Sequence, residues 1–402
     1  MATTEMAATG MAAPPPATRS LSERLSAELR FVPVVIGLAA LFLFFTLQSD
    51  VFLTSRNLNN LLVQSTVTGI VALGLVFVLL VGEIDLSVAA TSGVASVLMA
   101  MLVVDHGLPI PLAVGLGVVA GMAIGAASGR WITLIGVPSF VVTLGVGLLL
   151  NGVQLMLLPR TGRYNLLNTG VEDLAATYVS GWAAWALVLG GIALLFLIRL
   201  GAHRARLAEG LPSTFYGAVG LPVGAVALPA LVVLLFLENL RGLPMPVILF
   251  AGLLAVMSYV ASETRFGLYL YAIGANAEAA RRAGVKVERI KIAAFAIAGG
   301  MAAFAGILSA SRILGVSVSS GGGVGGGALL LESIAAAVIG GVSLFGGRGR
   351  VVGALFGALI IATVSNGLNL MGVANEARLI VTGLLLVIAV SIERGMERVA
   401  GS

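Results

Sequence analysis

The hydrophobic positions of this chain come in long unbroken runs and do not alternate with polar ones. Runs of about 20 apolar residues, the length that crosses a bilayer core as a helix, fall at 31–48, 58–81, 84–104, 110–129, 136–158, 181–199, 221–238, 244–262, 290–311, 328–346, 350–370 and 378–393. They predict an all-α polytopic membrane protein with twelve transmembrane helices. Two joints are tight, at Gly82–Asp85 and at Gly347–Arg350. One interruption is unlike the rest: Glu263, Arg265, Glu278, Arg281, Arg282, Lys286, Glu288, Arg289 and Lys291 crowd into a single segment. A dense polar loop in so apolar a chain is a candidate docking surface.

Charge orients these runs. With the N-terminus inside, seventeen of the 23 Lys and Arg residues fall in inside segments, and only Arg56, Arg160, Arg163, Arg241, Arg312 and Arg378 fall outside. Positive residues are retained on the cytoplasmic side, so both termini are expected there. The expected divisions are a disordered tail over 1–30, a transmembrane domain over 31–395 and a short tail over 396–402. Within the domain lie an insertion with an extra span (199–246) and the polar loop (263–290). No apolar stretch precedes Phe31, so no signal peptide is expected.

Composition narrows the chemistry. Charged residues make up 10% and mean hydropathy is +1.08, against about 25% charged in soluble domains, so a soluble fold is excluded. The net charge of +5 follows the membrane topology and does not suggest nucleic acid. There is no cysteine, and the two lysines, Lys286 and Lys291, permit no G-K-[ST] phosphate loop. The two histidines, His106 and His203, give little support to a metal site or a Ser-His hydrolase. No metal or cofactor is expected on this chain. Glycine, at 53 residues, predicts closely approaching helices.

The polar segment contains Gly274-Ala-Asn-Ala-Glu-Ala-Ala-Arg-Arg-Ala-Gly284, with the spacing E-A-A-x-x-x-G from Glu278. It predicts a short helix over 276–283, stopped by Gly284, with Arg281 and Arg282 in its favourable last turn. One reading is a surface helix that merely satisfies the charge rule. The other is a coupling helix that seats on a separate ATPase, with Asn276, Glu278, Ala279, Ala280, Arg281, Arg282 and Gly284 as its residues.

Four stretches together resemble the branched-chain and monosaccharide permease family of ABC importers, over about 57–395. Gly82-Glu-Ile-Asp-Leu-Ser-Val88 is similar to the family's G-G-I-D-L-S-V-G signature, which marks Gly82, Glu83, Asp85 and Ser87 as signature or gating residues. Val137-Pro-Ser-Phe-Val-Val-Thr-Leu-Gly145 resembles P-x-F-I-V-T-L-G, and 274–284 resembles G-x-N-x-x-A-A-R-x-x-G. Ile334 to Gly349 resembles A-I-A-A-V-V-I-G-G-x-S-L-x-G-G-x-G. Glu83 in place of the second glycine, and the insertion, are similar to the xylose-type branch. Leu330 and Glu332 stand where many relatives have glutamate and aspartate, and the L-P that follows E-A-A-x-x-x-G in other importer classes is absent. The resemblance implies a permease subunit without its own nucleotide site, set in a bacterial inner membrane. It would pair with a second copy, a periplasmic sugar-binding protein and an ABC ATPase that holds the ATP and Mg.

Glu83, Asp85 and Glu332 are acids within apolar stretches and therefore functional candidates. Asp85 also suits the N-cap of a helix beginning at Leu86, and Glu83 a broken-helix junction. If one of them titrated during transport, the chain would instead be a proton- or sodium-coupled carrier. Gln64, Asn151, Gln154, Asn366 and Asn369 offer amides for a sugar path, or for ordinary helix–helix bonds. Gly321 to Gly327 lacks a lysine and reads as an outside hinge.

Overall fold

The structure is a computed structural model. It describes residues 32–391 except 239, 323–327, 375, 378, 386, 389 and 390. The helices are α1 (Val32–Gln48), α2 (Ser55–Leu80), α3 (Val88–Val104), α4 (Ile110–Ile135), α5 (Ser139–Leu157), α6 (Asp173–Ala176), α7 (Trp182–Ala208), α8 (Leu221–Glu238), α9 (Met245–Glu263), α10 (Arg265–Ala275), α11 (Ala277–Arg282), α12 (Val287–Arg312), α13 (Ala328–Ile339) and α14 (Gly353–Leu370). Four short strands join them: β1 (Arg163–Asn165), β2 (Tyr178–Val179), β3 (Leu243–Pro244) and β4 (Gly315–Ser317).

Among the described residues, eight helices are long and apolar enough to cross a membrane, α8 counting together with the turn of π-helix before it as Tyr216–Glu238. The apolar helices α1, α3 and α13 are shorter. The expected last span, 378–393, is helical over 379–385, and its end lies outside the described residues. The expected tails, 1–30 and 396–402, also lie outside them, as do Gly323 to Gly327 of the expected hinge.

Hydropathy misjudged several ends. The run expected over 328–346 stops as a helix at Ile339, because Gly341 turns left-handed (φ +85). There the Gly341 amide donates to Val338 O and the Val342 amide to Ala337 O, a closing motif that satisfies the last carbonyls. The run expected from 350 starts at Gly353. In the other direction, α7 runs on to Ala208 past the expected 199. Its Ala- and Arg-rich end is polar to a hydropathy scan yet favourable to a helix.

The core is built around α2, whose apolar window is 89% buried. A helix apolar on every side is buried on every side, and α12, α13, α14 and α9 surround it. Next to it, α4 and α12 touch backbone to backbone. A Cβ at Gly125 would lie 2.1 Å from the Phe295 carbonyl oxygen, and one at Gly299 would lie 2.1 Å from that of Gly121. Small residues permit this approach. The insertion stands at the edge, with the α7 window only 6% buried.

Contacts sort the connections into two ends. At one end β1 pairs antiparallel with β4 (Tyr164 opposite Val316) and β2 with β3. There the Tyr164 hydroxyl also meets the Asp105 carboxylate. The other end gathers residues 82–87, Ser139, Tyr271, 274–291 and 343–350. Of the connections expected inside, those at 82–83, 263–290 and 347–349 lie together.

Candidate functional site

The end that carries the polar segment is built from caps. Thr264 opens α10, its hydroxyl accepting the Gly267 amide at 3.2 Å. Asn276 then both ends α10 and opens α11, its Oδ1 accepting the Ala279 amide at 2.9 Å. At the far side of α11, the Gly284 amide donates to Arg281 O and the Val285 amide to Ala280 O, each at 3.0 Å. Gly284 holds φ +85, where a Cβ would touch nothing within 4 Å. The stop is therefore purely conformational. The expected helix over 276–283 is present as Ala277–Arg282.

This short helix has a buried side and a charged side. Ala280 is buried in the core, so it anchors α11 and does not face outward. Glu278 accepts from Arg281 (3.2 Å) and Arg282 (3.2 Å), and Arg281 also reaches Glu288 at 3.0 Å. These side chains are all more than half exposed. The Arg281 guanidinium is held above its ordinary pKa, first by the hydrogen bond to Glu288.

Beneath this helix three backbones converge. A Cβ on Gly274 would lie 1.9 Å from the Leu80 carbonyl oxygen and 2.2 Å from the Gly347 nitrogen, and that nitrogen donates to Leu80 O at 2.9 Å. The Tyr271 hydroxyl donates to Gly349 O at 3.0 Å. The end of α10, the end of α2 and the turn at 346–349 therefore form one joint.

The break between α2 and α3 abuts this joint. α2 closes with the same left-handed glycine stop, Gly82 at φ +76, the Glu83 amide reaching Val78 O. The irregular residues that follow are satisfied by side chains of α5. The Ile84 amide donates to Ser139 Oγ (3.1 Å) and the Leu86 amide to Thr143 Oγ1 (3.0 Å). The expected helix start at Leu86 is corrected here: α3 begins at Val88, with Ser87 in the cap position. Buried Asp85 instead accepts the Ser87 amide (2.8 Å) and hydroxyl (2.6 Å). Glu83 forms an ion pair with Lys291 in the first turns of α12.

Removing the Asp85 carboxylate strands a buried amide and hydroxyl, which costs about 1–3 kcal/mol. Asp85→Ala is expected to lower the folded yield and the unfolding temperature in detergent, and Asp85→Asn to keep most of both. An unchanged unfolding temperature for Asp85→Ala would contradict this local role.

Two of the amides expected along a sugar path have partners in other segments. Asn366 is buried in a reciprocal pair with Asn57, both bonds 2.9 Å, which ties α14 to α2. Buried Gln154 donates to Ser317 O (3.0 Å) and Ser320 O (3.1 Å), holding the turn after β4. Gln64 is half-buried on α2 and Asn369 is exposed on α14. The Asn151 Oδ1 atom is buried with no hydrogen-bond partner among the described residues. The acid Glu332 is half-buried on α13 and accepts from the Thr68 hydroxyl at 3.4 Å. A cavity of about 200 Å³ lies between α2, α3, α12 and α13, with Ser92, Ser309, Ser319 and Ser320 in its wall. Sequence reasoning found neither the Asn57–Asn366 pair nor the Glu83–Lys291 pair, because the partners are 309 and 208 residues apart.

Comparison with known proteins fits these features. The chain is 37% identical over 312 residues to the xylose transport system permease protein XylH of Escherichia coli K12, covering 76% of this chain and 78% of that one. It is 34% identical to the Haemophilus influenzae protein of the same name, over 74% of this chain and 79% of that one. The ribose import permease protein RbsC of Escherichia coli K12 is 30% identical, over 72% of each. No solved structure matches. A family model described as a branched-chain amino acid transport system / permease component matches residues 57–390. With its buried α2, its apolar helices and the four motifs gathered on them, this chain belongs to that family of membrane permease components.

Proposed function

We propose that this chain is the membrane-spanning subunit of an ATP-driven importer that carries a monosaccharide, a pentose such as xylose, into the cytoplasm by alternating access. The observation that carries this reading is α11: a six-residue helix outside the apolar bundle, capped at both ends, anchored by Ala280 and presenting Glu278, Arg281 and Arg282 outward. A self-sufficient carrier has no use for such a projection, whereas a subunit that must be driven by another protein has. The likeness to xylose and ribose permeases supports the choice of cargo. In this reading the chain does no covalent chemistry and binds no cofactor. ATP and Mg sit on an ABC ATPase seated at 274–284, on the cytoplasmic side.

A periplasmic sugar-binding protein would deliver cargo at the strand-bearing end, and a second copy of the chain would complete the path. The full set of twelve spans, with both termini cytoplasmic in a bacterial inner membrane, belongs to the same proposal. Ion-coupled carriage has less to draw on, since Glu83 and Asp85 are already engaged by Lys291 and Ser87.

The test is reconstitution in liposomes with the ATPase and the binding protein. Xylose uptake is expected to require ATP and the ATPase, and a pH gradient is expected not to replace them. Uptake by this chain alone, driven by a pH gradient, would overturn the importer reading.

A further inference from the structure

A ladder of charges leads from α11 into the membrane domain. It starts at Glu278, passes through Arg281 to Glu288, and reaches Lys291 on the same face of α12, three residues on. Lys291 interacts electrostatically with Glu288 and closes the ladder on Glu83. The rungs change character along the way. The side chains of Arg281 and Glu288 are 54% and 52% exposed, but those of Lys291 and Glu83 are only 19% and 15% exposed. Exposed pairs are screened and contribute little. A shielded pair is strongly sensitive to the loss of either member.

The last rung is also the one that crosses between elements. Glu83 stands in the break between α2 and α3, whose amides Ile84 and Leu86 are held by Ser139 and Thr143 of α5. A displacement of Glu83 therefore has α2, α3 and α5 as its recipients. α3 in turn supplies Ser92 to the serine-walled cavity at the other side of the bundle.

We propose that the Glu83–Lys291 ion pair is a positioning link which transmits movement of the docking segment 274–284, by way of α12, to the α2–α3 break, and so couples ATP hydrolysis to opening of the transport path. The link rests on the importer reading above. Its two residues touch neither nucleotide nor sugar; they act through the elements they join.

The experiment uses the complete complex of permease, ATPase and binding protein in liposomes, and measures xylose transported per ATP hydrolysed. Glu83→Lys and Lys291→Glu are each expected to lower that ratio at least ten-fold while basal ATP hydrolysis persists. The double exchange, Glu83→Lys with Lys291→Glu, is expected to restore at least a third of it, and Lys291→Arg to keep most of it. Should a reversed charge prevent folding, the neutral variants Glu83→Gln and Lys291→Met take its place, each expected to lower the ratio about five-fold. Single variants that fold and keep the wild-type ratio would overturn the link, as would a folded double exchange that restores nothing. Failure of the wild-type complex to couple ATP hydrolysis to xylose would count against the importer reading itself.

Discussion

Gly284→Val is expected to abolish coupling to the ATPase while leaving the membrane domain intact. Gly284 sits at φ +85, a conformation that a β-branched residue adopts only as an outlier. The strain has one outlet, because a side chain there meets nothing else. α11 must give up the two bonds that close it, from Gly284 to Arg281 O and from Val285 to Ala280 O. A helix of six residues has no reserve of internal bonds with which to survive that loss. Glu278→Arg attacks the same surface by charge. It removes the shared partner of Arg281 and Arg282 and adds a third cation beside them. Both variants are expected to insert and unfold like the wild type. ATPase co-purification and xylose-stimulated ATP hydrolysis are expected to fall at least ten-fold. Normal coupling in both would move the docking surface elsewhere, with the turn carrying Arg348 and Arg350 as the next candidate.

The second large effect is expected in the bundle itself. Gly125→Leu places a branched side chain where a Cβ alone would stand 2.1 Å from the Phe295 carbonyl oxygen. The obstacle is backbone and has no rotamer to change, so α4 and α12 must separate along their whole contact. Overpacking typically costs about 1–3 kcal/mol and occasionally more, and this site belongs at the upper end. The expected result is a large loss of folded protein by size-exclusion chromatography and a markedly lower unfolding temperature. Gly145→Leu on α5 is the control, since a Cβ there meets nothing within 4 Å and faces outward. Equal stability for the two variants would refute the close α4–α12 contact.

Much of this protein was legible before any coordinate. Long apolar runs leave few alternatives in a bilayer, where each backbone amide and carbonyl needs an internal partner. Eight of the runs accordingly appear as helices of spanning length. The short helix at 277–282 was readable too, because its signals are local: Asn276 to start it, basic residues in its last turn and Gly284 to stop it. The four motifs carried the family, which the match over 57–390 bears out.

Where a helix ends inside an apolar run was not legible. Val342 and Leu344 are as hydrophobic as the residues before them, and only the left-handed Gly341 and the contacts beyond it end α13 at Ile339. Hydropathy records transfer to lipid, whereas a helix end is decided by which partners take its last carbonyls. The individual amides were ambiguous for a similar reason. Asn366 and Asn369 lie three residues apart on α14, yet one is buried against Asn57 and the other is exposed.

What the sequence by itself determined, then, is everything specified by neighbours in the chain: the apolar runs, the caps of α11, the charge that sorts the connections, and the family motifs. Only the tertiary structure decided which distant residues complete each other. Glu83 with Lys291, Leu80 with Gly347 and Gly274, and Ser139 and Thr143 with the amides of the break all join segments far apart in the chain. A polar group in an apolar interior must find a partner wherever packing brings one, and no local pattern of residues records which one it will be.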